Sequence, residues 1–166
     1  IGIGLSVYCE QGAHGTSVYS GWGIPMIPGY EQATARVTPD GGLELRIGVH
    51  SHGQSMETTL PQIAHEILGI ETAKIKLVHG DTEYTPYSTG TWGSRSAVMA
   101  GGAVSRASQE IAGLIKGIGA HLLQTDVANV RLEDGCVIGP SGSVTVKEVA
   151  HTWYRRPQDL PASVDP

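Results

Sequence analysis

The sequence contains no phenylalanine, so its interior cannot be built on that residue. Hydrophobic residues still make up 40% of 166 positions, enough for a core assembled from Ile, Leu, Val and Ala. Long apolar runs are also missing. None approaches the ~18 residues that a membrane-spanning helix needs, so no membrane partner is expected. Cysteine is scarce: Cys9 and Cys136 lie far apart, without Cys-x-x-Cys or Cys/His spacing. That excludes a zinc motif and points to reduced thiols in a cytoplasmic protein. Positive charge is in short supply, with 11 Lys and Arg against 16 Asp and Glu and a net charge of −5. Such a balance argues against nucleic acid or an anionic membrane as the main partner. No signal peptide is visible. No Walker lysine follows a glycine-rich loop, so a nucleoside triphosphate cradle is not expected.

Glycine is what the chain has in quantity, 23 residues. The pattern between the glycines gives one unit, without internal repeats. "IGIGLSVYCE" alternates as a strand, and "AHGTSVYSGWGIPMIPG" reads as loop. "YEQATARVTP" and "LELRIGVHSH" read as a hairpin around the turn "DGG". Leu60, Ile63, Ala64 and Ile67 recur at helical spacing, with Gly69 as the stop. "AKIKLVHGD" is a further strand, residues 81–93 are loop, and about 94–124 carry the apolar stripe of a long helix. Short strands follow, with turns at Asp134-Gly135 and Ser141-Gly142, then one helical turn over 147–153. The expected fold is α+β, a mixed β-sheet with two main helices packed on one face. Pro61 is harmless if the first main helix starts at Thr59. It removes one internal hydrogen bond and kinks the helix if the start is at Ser55.

Two junctions stand where the chain enters a helix: "HSHGQSMETT", 50–59, and "GTWGSRSA", 90–97. The first N–H groups of a helix have no internal partner, and the helix dipole adds positive character there. Glycine allows close approach to the backbone, serine adds hydroxyl donors, and Arg95 carries a guanidinium fork suited to phosphate. The second junction therefore reads as an anion seat, or as plain helix capping with Ser94 as the cap. His50 and His52 would share one face of a strand, as two metal ligands might, but no third ligand at useful spacing accompanies them. No metal site is assigned, and a small metal-dependent hydrolase built on the two histidines is the weakest reading. Glu57 and Glu66 are read as solvated. His14, His65, His79, His121 and His151 are scattered singly.

Together the two junctions resemble a known family. "GQSMETTLPQIAHEILGI" followed by "VHGDTEYTPYSTGTWGSRSAVMAGGAV" is similar to the molybdopterin-binding large subunit of the molybdenum hydroxylases. That family comprises the xanthine dehydrogenases, aldehyde oxidases and carbon monoxide dehydrogenases, and the carbon monoxide dehydrogenase-like branch is the nearest in flavour. The resemblance spans nearly the whole chain. It implies a molybdenum cofactor-binding domain over residues 1–166, part of a longer large subunit. It further implies cofactor contacts at Gly53, Gln54 and Ser55, and at Gly93, Ser94, Arg95 and Ser96. Ser55 stands where the family has Gly, and Trp92 where it commonly has Tyr.

The implied cofactor is molybdopterin with molybdenum, either as such or as molybdopterin cytosine dinucleotide. The implied reaction oxidises an aldehyde, an N-heterocycle or carbon monoxide. No catalytic residue is assigned, because the family's base glutamate sits in a Gly-rich motif that this chain lacks. The implied partners are the remainder of the large subunit and iron–sulfur and FAD subunits or domains. Alone, the chain is expected to be inactive and to self-associate. The alternative is a non-catalytic assembly domain that keeps the fold without binding cofactor.

Overall fold

The alternation in Leu43, Leu45, Ile47 and Val49 sets the centre of the structure, since all four are buried to within 1% of complete. The computed structural model describes residues 2–8, 11–24 and 29–164. In it, β1 (Ala33–Val37) and β2 (Leu43–Ile47) form the expected antiparallel hairpin, with Ala35 opposite Leu45. The other face of β2 carries Glu44 and Arg46, which pair at 2.7 Å. β3 (Ile75–Val78) lies parallel to β2, giving the order β1-β2-β3. Parallel neighbours need a long crossover, and α2 (Met56–Leu68) supplies it. Met56, Leu60, Ala64 and Leu68 are buried at every fourth position of that helix, one continuous apolar face.

α2 ends at Gly69, whose φ of +66° is the left-handed cap conformation that glycine adopts without penalty. A Cβ there would also fall 2.2 Å from the Gly135 nitrogen. Pro61 lies inside α2, so the helix starts before Thr59 and carries the proline past its first turn.

α3 (Gly101–Leu122) follows directly from a wider π-helical turn, Ser96–Ala100. Its buried residues, Val104, Ser108, Ala112, Ile115 and Ile118, pack over α2 and β1. Around Gly119 the helix closes on the strand that carries Val137, where an added Cβ would meet the Val137 side chain at 2.7 Å.

Four expectations are corrected. Residues 2–8 form no strand, because among the described residues no neighbouring edge pairs with their backbone; Ile1, Cys9 and Glu10 lie outside the described residues. The expected loop over 13–29 contains a short helix, α1 (Thr16–Gly21); residues 25–28 lie outside the described residues. The late strands β4 (Arg131–Glu133), β5 (Cys136–Gly139) and β6 (Gly142–Thr145) do not extend the first sheet but form a second, antiparallel one. The final helical turn is a ten-residue helix, α4 (Val146–Arg155). A complete capping box starts it: the Thr145 hydroxyl accepts from the Glu148 N–H at 3.1 Å, and Glu148 Oε2 accepts from the Thr145 N–H at 2.7 Å. The α+β class stands, with α2 and α3 as the two main helices. Among the described residues, no helix is long and apolar enough to cross a membrane.

Candidate functional site

The first junction leaves β2 behind buried Val49 and turns through residues 50–55 into α2. Gly53 has φ +100°, and Ser55 sits in the left-handed region at φ 62°, ψ 41°. The His52 N–H donates to Gln54 Oε1, which holds the side chain over the turn and leaves its amide N–H groups free to face outward. The His50 and His52 rings meet through their Nε2 atoms at 2.8 Å, one donating and the other accepting. Among the described residues, no group of three or more His, Cys, Asp or Glu comes together as a metal shell. Glu57, in the first turn of α2, accepts from His79 Nε2 at 3.0 Å. Hydrogen bonding, first from its own backbone N–H and then from His79 and Ser51, holds its carboxyl below the ordinary range.

The second junction is built from two consecutive left-handed residues, Gly93 (φ 55°) and Ser94 (φ 57°), both exposed. Helical hydrogen bonding begins at Ser96, and no side chain caps that end. The Ser94 cap is therefore not formed. Ser55 makes no side-chain cap on α2 either. α4, by contrast, carries its full capping box. The start at Ser96 thus keeps its first N–H groups without a capping side chain, whereas at α2 the Glu57 N–H turns to its own carboxylate and the Thr58 N–H donates to the Ser55 carbonyl at 3.0 Å.

Thr91 joins the two junctions. Its hydroxyl accepts from the His50 N–H at 2.8 Å and donates to the His50 carbonyl at 2.6 Å. From behind, the Ala13 N–H donates to the Gly93 carbonyl at 2.7 Å. Trp92 packs on Tyr19, ring centroids 5.5 Å apart, and Tyr19 in turn meets His14 and Trp22 edge-on.

Arg95 corrects the sequence reading. Its side chain is only 4% exposed and points away from the junction surface. Nη1 donates to Glu31 Oε2 and to the Gly90 carbonyl, each at 2.8 Å, and Nη2 donates to the Tyr30 carbonyl. The guanidinium fork is thereby committed inside the protein and is not presented to an anion. The residue type indicated donors; it could not indicate their direction.

Between the junctions lies an open cleft of about 480 Å³ lined by His52, Gln54, Thr91, Trp92, Gly93, Ser94, Ser96 and Ala97. Gly53 and Ser55 flank Gln54 at its rim, exposed. Of the sequence-predicted residues, Gln54, Gly93, Ser94 and Ser96 come together here, while the Arg95 side chain does not. His52, Thr91 and Trp92 are cleft residues that the sequence reading did not assign to a cofactor. Thr91 had a usable signal, a hydroxyl in the quoted loop, but its partner His50 is 41 residues away. The cleft carries no Lys or Arg side chain. It offers neutral donors: the Gln54 amide, two serine hydroxyls and the N–H groups of an uncapped helix start. A second groove, about 200 Å³ between β1, α3 and α4, is lined mainly by apolar side chains such as Val37, Leu114, Ile118 and Trp153, and no set of polar donors converges in it.

A family model, the molybdopterin cofactor-binding domain, matches residues 1–165. The chain belongs to that family. As a molybdopterin cofactor-binding domain it is similar to part of several large subunits. It is 33% identical to the nicotine 6-hydroxylase large subunit of Paenarthrobacter nicotinovorans, a match covering all of this chain and 21% of that protein. It is also 33% identical to the carbon monoxide dehydrogenase large chain of Afipia carboxidovorans, covering all of this chain and 20% of that one. In three dimensions it resembles quinoline 2-oxidoreductase from Pseudomonas putida 86, with a TM-score of 0.83 and 30% identity over 93% of this chain and 20% of that one. The chain thus spans about a fifth of the length of the relatives it matches.

The residues of the cleft fit a molybdopterin. A pterin ring is a flat heterocycle with donors and acceptors on its edge, and a phosphate accepts from backbone N–H groups. Among the described residues, the Ser94 and Ser96 hydroxyls make no hydrogen bond within the chain, and Gln54, whose Oε1 is taken by the His52 N–H, lines the same cleft. Neutral donors of this kind recognise such a ligand by geometry.

Proposed function

We propose that this domain holds one side of a molybdopterin, carried as the cytosine dinucleotide, within the large subunit of a cytoplasmic molybdenum hydroxylase. Residues 1–166 act as a single domain of that subunit. Gly53, Gln54 and Ser55 bind from one junction, and Gly93, Ser94 and Ser96 from the other. Arg95 contributes its backbone position, not its guanidinium. The observation that carries this reading is the Thr91 bridge, which ties the two junctions together so that Gln54 and the uncapped helix start at Ser96 line one donor-bearing cleft.

The bound cofactor supplies two-electron oxidation with oxygen drawn from water, and the substrate is an aldehyde, an N-heterocycle or carbon monoxide. The protein's part is to bind, orient and exclude water. Gln54 donates to the ligand while its carbonyl stays tied to the His52 N–H, so its donors are aimed in advance. Trp92 walls the cleft and is backed by Tyr19. The remainder of the large subunit would close the open side, and iron–sulfur and FAD subunits or domains would carry the electrons away.

The test is Gln54→Ala in the full-length subunit, with molybdenum and pterin content measured after purification. Occupancy is expected to fall severalfold while the unfolding midpoint stays put. Unchanged occupancy and turnover would overturn the assignment.

An assembly role has its own support. Ile3, Leu5 and Val7 alternate along residues 2–8 and are about nine-tenths exposed or more. An apolar segment of that kind calls for a covering partner. In the isolated chain it is expected to drive self-association, which Leu5→Lys should weaken in sedimentation velocity.

A further inference from the structure

We propose that Glu31 and Arg95 form a buried positioning pair that pinches the base of the loop 88–95 and thereby sets the shape of the cleft. The proposal rests on the cofactor reading for its purpose, and on geometry for its substance. Ser88 opens the loop and Arg95 closes it. The Ser88 hydroxyl donates to Glu31 Oε2 at 2.6 Å, and Arg95 Nη1 donates to the same oxygen at 2.8 Å. Both ends of the loop are therefore held by one carboxylate oxygen. Inside the pinch, Nη1 also donates to the Gly90 carbonyl, and the Gly90 N–H donates to Ser88 Oγ at 2.9 Å. Outside it, Nη2 reaches the Tyr30 carbonyl and ties the loop to the chain entering β1. The tip that remains, Thr91 to Ser94, lines the cleft.

The burial argues for shape over stability. The Arg95 and Glu31 side chains are 4% and 0% exposed. Desolvating two charges offsets most of what their attraction returns, so apolar replacements of such pairs are often neutral for stability. A fork of donors that must reach a carboxylate, Gly90 and Tyr30 at once, however, permits one loop geometry. The loop is also flush with the sheet. A Cβ on Gly48, just beyond β2, would meet the Ser88 Cβ at 2.2 Å, so the pinch has no slack on that side.

Trp92 offers a reporter, because its ring lies 6.0 Å from the Arg95 guanidinium carbon. The chain has three tryptophans, so fluorotryptophan labelling yields three ¹⁹F resonances, assigned by single Trp→Phe variants. Arg95→Lys keeps the charge but loses the fork, Glu31→Gln keeps the shape but loses the charge, and Ser88→Ala removes one end of the pinch most gently. In each, the Trp92 resonance is expected to shift or broaden while the Trp153 resonance on α4 and the far-ultraviolet circular dichroism stay as in the parent. Glu31→Asp, which keeps the charge on a shorter arm, is expected to return the signal part of the way. A Trp92 resonance unmoved in Ser88→Ala and Glu31→Gln, with the fold intact, overturns the pair as a positioning device. So does a uniform shift of all three resonances, the mark of a merely structural role. The cofactor reading fails separately, if Gln54→Ala leaves pterin content unchanged. If both readings hold, Arg95→Lys in the full-length subunit lowers pterin content about tenfold, although its side chain never faces the cleft.

Discussion

The Thr91 hydroxyl exchanges two hydrogen bonds with the backbone of His50, donating at 2.6 Å and accepting at 2.8 Å. One side chain thus reproduces the pairing that a neighbouring strand would give, at the point where the sheet has ended and two loops must stay in register. Thr91→Val keeps the shape and removes both bonds. A lost hydrogen bond costs about 1 kcal/mol net when water can reach the vacated groups. The variant is expected to lose about 1–2 kcal/mol in urea unfolding, and Thr91→Ser to regain most of it. If Thr91→Val matches the parent in stability and pterin retention, the bridge does not hold the cleft together.

Ser55 stands in the left-handed region at φ 62°, directly before α2. A residue with a Cβ is disfavoured there by roughly 1–2 kcal/mol, most strongly when β-branched. Ser55→Gly relieves the strain and is expected to be neutral to mildly stabilising, because glycine's larger unfolded-state entropy takes back part of the gain. Ser55→Val is expected to destabilise by about 2 kcal/mol. Equal unfolding midpoints for the two variants would show that the turn relaxes out of this conformation.

The Thr145–Glu148 capping box gives a prediction with a sign. Hydrogen bonds from the Thr145 backbone and hydroxyl hold the Glu148 carboxyl below its ordinary value of 4.5. A carboxylate depressed in the folded state stabilises above its unfolded pKa and loses that contribution as pH falls through the folded one. Thr145→Ala should therefore cost about 1 kcal/mol at neutral pH. The gap between parent and variant should narrow as pH falls below 4.5. The backbone N–H bond to Glu148 remains in the variant, so a gap that is constant from neutrality into that range would remove only the hydroxyl's bond to Glu148 from the account.

These cases mark what was legible in the sequence. The β1–β2 hairpin and β2's buried face follow from Leu43, Leu45 and Ile47, because alternation is a local signal that burial then enforces. The box heading α4 is written in "TVKE" and could have been read. The two junctions were legible as helix starts, because glycine and serine cluster where a chain turns into a helix. Arg95 was misread for a physical reason. A guanidinium serves a buried carboxylate as well as a phosphate, and the choice is made by Glu31, 64 residues away. Residues 2–8 differ for a related reason: alternation licenses a strand, but a partner edge makes one, and among the described residues none lies beside them.

Gly69 couples the end of α2 to the second sheet, so its substitution tests the packing between them. Its own φ of +66° already disfavours a side chain, and a Cβ would stand 2.2 Å from the Gly135 nitrogen and 2.7 Å from that of Asp134. Backbone cannot swing aside as a flexible side chain does. Gly69→Ala is expected to cost about 3 kcal/mol or more, combining left-handed strain with overpacking. Gly113→Ala is the control: it sits in α3 with nothing within 4 Å, and should gain up to about 1 kcal/mol from helix propensity.

Residues 1–166 on their own are expected to bind little cofactor and to turn over no substrate. Hydroxylation needs a held metal centre, a base within hydrogen-bond reach of the proton it takes, and a closed pocket to orient substrate. The cleft supplies neutral donors along one side and is open on the other, so a pterin seated there keeps much of its surface in water. The candidate bases are poorly placed as well. Glu57 is engaged by His79, Glu66 is exposed on α2, and Glu83 is exposed in the loop after β3. The measurement is molybdenum content of the purified chain, with aldehyde, N-heterocycle and carbon monoxide oxidation followed by an artificial electron acceptor. Substantial molybdenum together with turnover would overturn the expectation. Glu57→Gln would then be the first variant to make, since Glu57 stands at the α2 start beside the Gln54 turn.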